Sequence, residues 1–287
     1  MSRTAITARQ FVDLEQIGPA AFRSRHAQFN HAGALYGGQV VGQSLVAAAR
    51  LTPGKQPHSL HGYFLRAGAG DGPIDYEVEL LRDGQRVAAR RVRALQGGKQ
   101  IFELTCSFVT PLSGFEHQRP FPAATPGPAV SPALAAYVAE HAERLSERTV
   151  ANYTAPFPVE VRLIEPDSYF FRLLGEPRRA FWLRIPSAAE VEDPVAHQAL
   201  VALASDYWLA GVGAAAHALV TDRDTLQVIS LDHAVWFHRP ARADRWLLHL
   251  TDSPSAQQGR GLSRGLLYDE QGVLIATTAQ ESLLLPS

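Results

Sequence analysis

The second half of this 287-residue chain repeats the order of motifs in the first half. The phrase HSLHGYFLR at residues 58–66 has its counterpart in ISLDHAVWFHR at residues 229–239, and each leads into two further strand-like runs. The aligned positions keep a nearly constant offset, 173 between Phe64 and Phe237 and 174 between Gly98 and Gly272. Such self-similarity indicates one fold used twice. The copies differ in polarity, which predicts that one builds a wall and the other carries a site.

Each half reads as one apolar helix together with antiparallel strands. The helix predicted at residues 38–50 is apolar on most sides, which is typical of a buried helix. In the second half, Asp193-Pro194 predicts a helix start, with the end near Ala210 because Gly211 follows. Strands that follow one another without intervening helices indicate an α+β architecture. The predicted strands are 59–65, 74–82, 86–95, 99–110, 158–164, 180–185, 227–238, 246–251, 259–268 and 273–285.

A segment rich in Pro, Gly, Ala and Ser separates the halves at residues 111–132, and that composition predicts a linker. Ser131-Pro132 then has the pattern of an N-cap and first helical residue, for a helix running to about Arg148. The expected division is an N-terminal repeat at residues 1–110, a linker with a helix at 111–155 and a C-terminal repeat at 156–287.

Composition narrows the possible functions. Hydrophobic residues make up 46% of the chain and charged residues 19%, as in a globular protein with a real core. The net charge of −1 provides no broad attraction to nucleic acid or to an anionic membrane, although a local site for one phosphorylated ligand stays open. Cys106 is the single cysteine, so no disulfide framework is expected. No apolar leader or membrane-length run is present, and the expected location is the cytoplasm.

Asp206 is the most informative polar residue of the second half. Positions 195, 199, 202, 206 and 209 share one face of the predicted helix, and that face is apolar apart from Asp206. Because burying an unpaired carboxylate is costly, such a residue is usually hydrogen-bonded or functional. The alternative is that Asp206 lies on a solvated face near the helix end, and the helix pattern favours neither.

Two further polar residues fall on predicted strands. Gln280 shares strand parity with mostly apolar neighbours, and the repeat alignment places it opposite Cys106 of the first half. The alternative is a cross-strand hydrogen bond on a wet face. Ser230 lies near the start of a strand-like run without the Gly-x-Ser-x-Gly pattern of a nucleophile elbow, so taken alone it is more typical of a structural serine.

Other signals are weaker. The histidines lack metal-ligand spacing, and His58, His61, His233 and His238 are more typical of buried, satisfied residues. Gly37-Gly38 lacks the third glycine of a dinucleotide fingerprint, but it begins a helix whose backbone N–H groups suit a carbonyl oxygen or an anion. The arginine runs 90–91 and 260–264 are more typical of solvated strand faces than of phosphate sites.

Several of these segments together resemble type II acyl-CoA thioesterases. They are YGGQVVGQ at 36–43, HSLHGYFLR at 58–66, LRDG at 81–84, ARRV at 89–92, DHAVWFHRP at 232–240 and GVLIATTAQE at 272–281. The resemblance covers nearly the whole chain in order. It implies a double hot-dog fold that hydrolyses acyl-CoA to fatty acid and CoA. The family's catalytic aspartate, hydroxyl residue and glutamine fall on Asp206, Ser230 and Gln280, with serine where threonine is usual.

The resemblance also implies a mechanism. Asp206 would orient and deprotonate a water molecule, while Gln280 and Ser230 hold it in line. Gly38, with Gln39, is the candidate for oxyanion stabilisation, and Arg91 and Arg260 are the candidates for substrate binding. No metal or cofactor is required, and the expected partners are acyl-CoA and further copies of the chain in a dimer or tetramer. The alternatives are a non-catalytic acyl-CoA-binding module and, less favoured, an enoyl-CoA hydratase, whose Asp/His loop is not seen.

Overall fold

The computed structural model describes residues 4–30, 33–69, 72–220 and 226–286, which form six α-helices and thirteen strands. The helices are α1 (Ala8–Val12), α2 (Gly37–Arg50), α3 (Leu134–Glu140), α4 (Glu147–Thr154), α5 (Asp167–Phe170) and α6 (Pro194–Ser205). The strands are β1 (Glu15–Gly18), β2 (Ala21–Ser24), β3 (Gln56–Phe64), β4 (Ile74–Asp83), β5 (Val87–Gln96), β6 (Lys99–Val109), β7 (Glu160–Leu163), β8 (Arg178–Arg184), β9 (Leu226–Ser230), β10 (Asp232–Phe237), β11 (Leu247–Gln257), β12 (Arg260–Asp269) and β13 (Leu274–Pro286). None of the described helices combines the length and apolar character that crossing a bilayer demands.

The described strands form one antiparallel sheet. Their order is β1-β2-β4-β5-β6-β3-β10-β13-β12-β11-β8-β7, and β9 pairs with β13 outside that path. The two repeats meet edge to edge at β3 and β10, where Leu60 lies opposite Val235 and Gly62 opposite His233. In each repeat, a long antiparallel sheet packs against a buried helix, α2 or α6. The predicted α+β double hot-dog fold is confirmed.

The two central helices approach each other closely because α2 has glycines on the contact side. A Cβ atom on Gly38 would lie 2.3 Å from the carbonyl oxygen of Leu203, and one on Gly42 would lie 2.5 Å from that of Ala199. Real Cβ atoms do not come so close to a backbone oxygen, so a side chain at either position would push α2 and α6 apart. Gly38 and Gly42 therefore set the distance between the repeats.

The prediction that the second central helix runs to Ala210 was wrong. Helix α6 ends at Ser205, and Trp208 adopts a left-handed backbone conformation with φ 62°. This conformation costs a non-glycine residue about 1 kcal/mol or more. The Trp208 ring packs against Tyr153, Tyr169 and Phe181, with ring centroids 5.7, 5.1 and 5.7 Å away, and these contacts stabilise the break.

The single strand predicted at residues 227–238 is in fact two strands. Leu231 separates β9 from β10, and its N–H donates to the carbonyl oxygen of Glu281 while its own carbonyl accepts from Phe64. Beyond this point β10 pairs with both β3 and β13, whereas β9 pairs with β13. The alternation of side chains therefore does not continue unbroken across residues 229–238.

The helix predicted from Ser131-Pro132 also differs. The described helix α3 begins at Leu134, and the Ser131 hydroxyl donates to Gly127 O instead of capping it. The helix is interrupted near His141, and Ser146 caps α4 by accepting from the Thr149 N–H at 3.2 Å. Local Ser and Thr hydrogen bonds compete with a continuous helix here.

The proline-rich segment is not a free tether. The Trp182 indole donates to the Pro126 carbonyl oxygen at 2.8 Å, and the Gln118 amide donates to that of Gly272 at 2.8 Å. Phe121 meets the Tyr268 ring edge-on at 5.6 Å. The segment therefore lies as a strap across the second repeat.

Arg90 corrects the prediction of a solvated arginine run. Its side chain is buried at 1% exposure and donates to the carbonyl oxygens of Leu51 and Arg82 while pairing with Asp83 at 2.5 Å. It fastens the end of α2 to the β4–β5 hairpin. The neighbouring Arg91 points outward, as the alternation of a strand requires.

His249 lies fully buried on β11. Its Nε2 atom is 3.2 Å from the Thr278 hydroxyl, and its ring meets Phe181 edge-on at 5.4 Å. Burial, with a smaller contribution from the nearby His233, lowers the pKa of His249 from 6.5 to about 3. The histidine is therefore neutral in the folded protein at neutral pH, and folding opposes its protonation.

We expect His249 to make stability depend on pH. Because its folded pKa is depressed, the stability it contributes is present above about pH 6.5 and is lost as pH falls toward 3, at up to about 1.4 kcal/mol per pH unit. Urea denaturation of the wild type between pH 7.5 and 5 should therefore show a steeper loss than His249→Gln, by about 2 kcal/mol over that range. Parallel pH profiles for the two proteins would contradict the assignment.

Gly42→Ala should destabilise the protein. The new methyl group would meet the Ala199 carbonyl oxygen at 2.5 Å and the Phe11 ring at 2.5 Å. Overpacking of this kind costs about 1–3 kcal/mol and outweighs the better helix propensity of alanine. Chemical denaturation would measure the loss, with Gly127→Ala as the control because nothing lies within 4 Å of the position that its new methyl group would take. Equal stabilities would show that the helix contact tolerates a side chain.

Candidate active site

Asp206 lies at the C-terminal end of α6, where the helix gives way to the turn before Trp208. Its side chain is 8% exposed. The early end of the helix places the carboxylate at the boundary of the two repeats. Of the two predicted alternatives for Asp206, the structure shows the buried, hydrogen-bonded one.

Gln280 links Asp206 to Ser230. It lies fully buried on β13, and its Nε2 atom donates to Asp206 Oδ1 at 2.9 Å and to Ser230 Oγ at 2.9 Å. An amide nitrogen carries two hydrogens, so both are used. The Oε1 atom of Gln280 has no hydrogen-bond partner among the described residues. The amide thus fixes the carboxylate and the hydroxyl relative to each other.

The Ser230 side chain reaches Gln280 because the strand is interrupted at Leu231, between β9 and β10. The Asp232 carboxylate holds the break, since its Oδ1 accepts from the Glu281 N–H at 2.6 Å and its Oδ2 lies 3.0 Å from His61 Nε2. Ser230 accepts from Gln280, and no described residue accepts the hydrogen of its hydroxyl. Ser230 is therefore able to donate that hydrogen to a ligand.

The first repeat covers the carboxylate with glycine. A Cβ atom on Gly37 would lie 2.9 Å from Asp206 Oδ2 and 3.0 Å from the Phe64 ring, so only glycine leaves the carboxylate undisturbed. The preceding Tyr36 donates its hydroxyl to Leu203 O at 2.8 Å. Burial raises the pKa of Tyr36 well above 10, and the Asp206 carboxylate adds to the shift, so Tyr36 stays neutral.

His233 is buried behind the three residues. Its Nε2 atom lies 2.9 Å from the Ser205 hydroxyl, and its Nδ1 atom has no partner among the described residues. Burial lowers the pKa of His233, while the Asp206 carboxylate and the Gln280 side chain act in the opposite direction. At neutral pH the ring is uncharged, so it does not neutralise Asp206.

A cavity of about 780 Å³ opens onto Asp206 and Ser230, whereas Gln280 lies behind its wall. The first repeat contributes Gly37 and Phe64 near the carboxylate. The second repeat contributes much of the rest, including the aromatic pair Tyr207 and Trp208 and the apolar residues Val220, Leu226, Val228 and Ile229. The cavity is thus polar at Asp206 and largely apolar along its second-repeat wall.

The remaining predicted site residues lie elsewhere. Gly38 packs against Leu203, and Gln39 is fully buried with its amide bonded to the backbone of Gln28 and His26. Arg91 pairs with Glu79, and Arg260 pairs with Glu281 at 3.1 Å. None of the four lines the cavity. The structure therefore brings together Asp206, Ser230 and Gln280 and leaves the others apart.

Gly37, Phe64, Tyr207 and Trp208 are site residues that sequence reasoning missed. The double glycine before α2 predicts a helix start, but the oxyanion candidate predicted there is Gly38 and not Gly37. Phe64 lies within the repeated phrase, and Tyr207-Trp208 directly follows Asp206. Adjacency to Asp206 was therefore the available signal for the aromatic pair.

The arrangement has the parts needed for attack by water. Asp206 Oδ2 is held without a described hydrogen-bond donor, so it is able to accept a proton from a bound water. Ser230 offers a hydroxyl hydrogen at the same cavity. The only described partner of the Ser230 hydroxyl is an amide nitrogen, which cannot remove its proton, so the serine is not set up as a nucleophile.

Known proteins match the sequence of this chain along nearly its whole length. Residues 25–109 match the family described as the acyl-CoA thioesterase N-terminal domain, and residues 117–284 match its C-terminal domain. Acyl-coenzyme A thioesterase 8 of Rattus norvegicus is 34% identical, covering 98% of this chain and 89% of the relative. Acyl-CoA thioesterase 2 of Haemophilus influenzae is 33% identical, covering 94% of each.

A solved structure of an acyl-CoA thioesterase has the same fold. The crystal structure of an acyl-CoA thioesterase II from Mycobacterium marinum is 36% identical and superposes with a TM-score of 0.78, covering 98% of both chains. The predicted family resemblance is confirmed. The chain, with two tandem hot-dog domains, belongs to the acyl-CoA thioesterase II family and is an acyl-CoA thioesterase.

Proposed function

We propose that the chain hydrolyses fatty acyl-CoA by direct attack of water, with Asp206 as the general base and Gln280 and Ser230 as its positioning partners. The observation that carries this is the Gln280 amide, which donates to Asp206 and to Ser230 at 2.9 Å each. This places a carboxylate and a hydroxyl at one end of a cavity with an apolar wall.

The reaction follows from these groups. Asp206 takes a proton from water as the water oxygen forms a bond to the thioester carbonyl carbon. The tetrahedral intermediate then collapses, the C–S bond breaks, and the CoA sulfur leaves with the proton returned by Asp206. The products are a free fatty acid and CoA, and no acyl-enzyme forms.

Two kinds of donor are available for the negative charge on the carbonyl oxygen. Ser230 has a hydroxyl hydrogen at the cavity. The amide groups of Gly37 and Gly38 are the first two of α2, and no described residue accepts from them. A helix N-terminus favours an anion, so this end of α2 suits the oxyanion. Gly37 is the stronger candidate because it lines the cavity, whereas Gly38 does not.

The acyl chain suits the wall formed by Tyr207, Trp208, Val220 and Leu226. Burying methylene groups there stabilises the bound substrate by about 0.8 kcal/mol each. Arg148 and Arg179 also line this side, and both interact with other residues.

Assembly into a homo-oligomer and a cytoplasmic location stay predictions; one 22% identical yeast relative carries "peroxisomal" in its name.

Asp206→Asn should abolish most of the activity while keeping the fold. The Oδ1 atom of asparagine still accepts from Gln280, but the side chain no longer takes a proton. We expect kcat to fall about 10²–10⁴-fold with little change in KM. Release of free thiol from acyl-CoA measures the rate, and bound acyl-CoA without thiol release by the wild type would support the binding module instead. Full activity in Asp206→Asn would contradict the mechanism.

Ser230 provides a second test. Ser230→Thr keeps the hydroxyl that Gln280 holds, so its kcat should stay within about fivefold of wild type, whereas Ser230→Ala should lose about 10–100-fold because a positioned hydrogen-bond donor is removed. The same thiol assay separates the two variants. Equal rates for the alanine and threonine variants would show that the hydroxyl takes no part.

A further inference from the structure

A second cavity, of about 650 Å³, adjoins the first on the side of the N-terminal repeat. Three residues, Arg66, Ala67 and Ile101, line both cavities. The second cavity therefore borders the first along these residues, and we call it the Arg66 groove. Its other lining residues include Arg23, Asp75 and Lys99.

The Arg66 groove is positively charged. Arg23 and Asp75 form a bidentate pair at 2.6 and 2.7 Å and cancel each other. Arg66 and Lys99 have no ion-pair partner among the described residues, although most described arginines of the strands pair with a carboxylate. The described lining thus leaves two positive charges facing one cavity.

The position of Arg66 is fixed by the backbone. Its N–H and that of Leu65 both donate to Ile101 O, and its Nη1 atom donates to Gln100 O at 2.8 Å. Arginine has five N–H donors, so this anchoring leaves others for a ligand. Lys99 lies on the same strand as Ile101, at its first position.

Arg66 lies close in the chain to Phe64, and the Phe64 ring lies beside the Asp206 carboxylate. The Phe64 ring and Asp206 Oδ2 both lie within about 3 Å of the same point beside Gly37. Arg66 follows Phe64 by two residues, which span at most about 7 Å. Phe64, Arg66 and Asp206 all line the first cavity, so the groove borders the cavity that holds the carboxylate.

The floor of the groove is open. Gly97 and Gly98 form the two-residue turn between β5 and β6 with φ of 56° and 73°, and nothing lies within 4 Å of where their side chains would begin. The Gln96 side chain ties this turn to Ala69, accepting at 2.7 Å and donating at 3.0 Å. The turn leaves room for a bulky anionic group between the cations.

We propose that the Arg66 groove binds the phosphate groups of the CoA nucleotide, through Arg66 and Lys99. This inference rests on the proposed function. It assigns the direction of the substrate: the nucleotide lies on the N-terminal repeat, the thioester at Asp206, and the acyl chain on the second-repeat wall. Neither Arg91 nor Arg260, the arginines predicted from sequence, takes part, because each pairs with a glutamate away from both cavities.

The test compares two substrates with the same acyl group, acyl-CoA and S-acyl-pantetheine, which lacks the nucleotide. For the double variant Arg66→Ala/Lys99→Ala we expect KM for acyl-CoA to rise about tenfold, with kcat nearly unchanged, because two cation–phosphate contacts are lost. The loss should be confined to acyl-CoA and should shrink at high salt. The control is Arg86→Ala, an exposed arginine outside both cavities, which should behave as wild type.

Isothermal calorimetry with CoA separates this inference from the proposed function. If the wild type cleaves no thioester, the proposed function is wrong, but a CoA affinity reduced in the double variant and not in Arg86→Ala still supports the groove. An unchanged CoA affinity, or no CoA binding by the wild type, would overturn it. So would an equal rise in KM for both substrates, since that would indicate a general distortion of the site.

Discussion

The close contact between the two central helices is the constraint on which the site depends. Gly38 and Gly42 let α2 approach the backbone of α6 at Leu203 and Ala199. This contact brings the start of α2 over the end of α6, so that Gly37 lies against Asp206. A side chain at any of the three glycines would separate the helices or displace the carboxylate. Both the packing of the two helices and the position of the Asp206 carboxylate therefore require glycine at positions 37, 38 and 42.

The two repeats share a fold but divide the work. In the second repeat the strand position at Gln280 carries an amide that organises the site. The position aligned with it in the first repeat is Cys106, which is buried, with its thiol donating weakly to Arg90 O at 3.8 Å. Burial raises the pKa of Cys106 to about 12, so it is no nucleophile at neutral pH. The first repeat supplies a wall in Gly37 and Phe64.

Much of the fold was predictable from sequence because strand and helix patterns are local. Most of the predicted strands and the start of α2 lie within a few residues of their predicted bounds. The exceptions are the run at 227–238, which is two strands, and β11, which continues to Gln257 instead of ending at residue 251. The elements α1, β1 and β2, at residues 8–24, were not predicted, since short segments carry little periodicity. The buried role of Arg90 was not predictable either, because its partners come from two separate segments, one at Leu51 and one at Arg82 and Asp83.

The candidate site was predictable at three positions and not at others. The apolar face around Asp206 and the aligned strand position of Gln280 are features of one segment each, and the family pattern added Ser230. The breaks that bring the three together were not predictable. The break after Ser205 depends on the aromatic rings around Trp208, and the break at Leu231 depends on Phe64, Glu281 and Asp232. Contacts between distant segments decided both.

The edge-to-edge pairing of β3 with β10 has a consequence for the two repeats as separate objects. Cutting the chain between them would leave each with an unpaired inner edge, and exposed edge strands invite pairing with other chains. Each half would also lose the central helix of the other repeat, which packs against its own central helix. Although the chain holds two copies of one fold, neither copy is complete by itself, and we expect the molecule to unfold as a single cooperative unit.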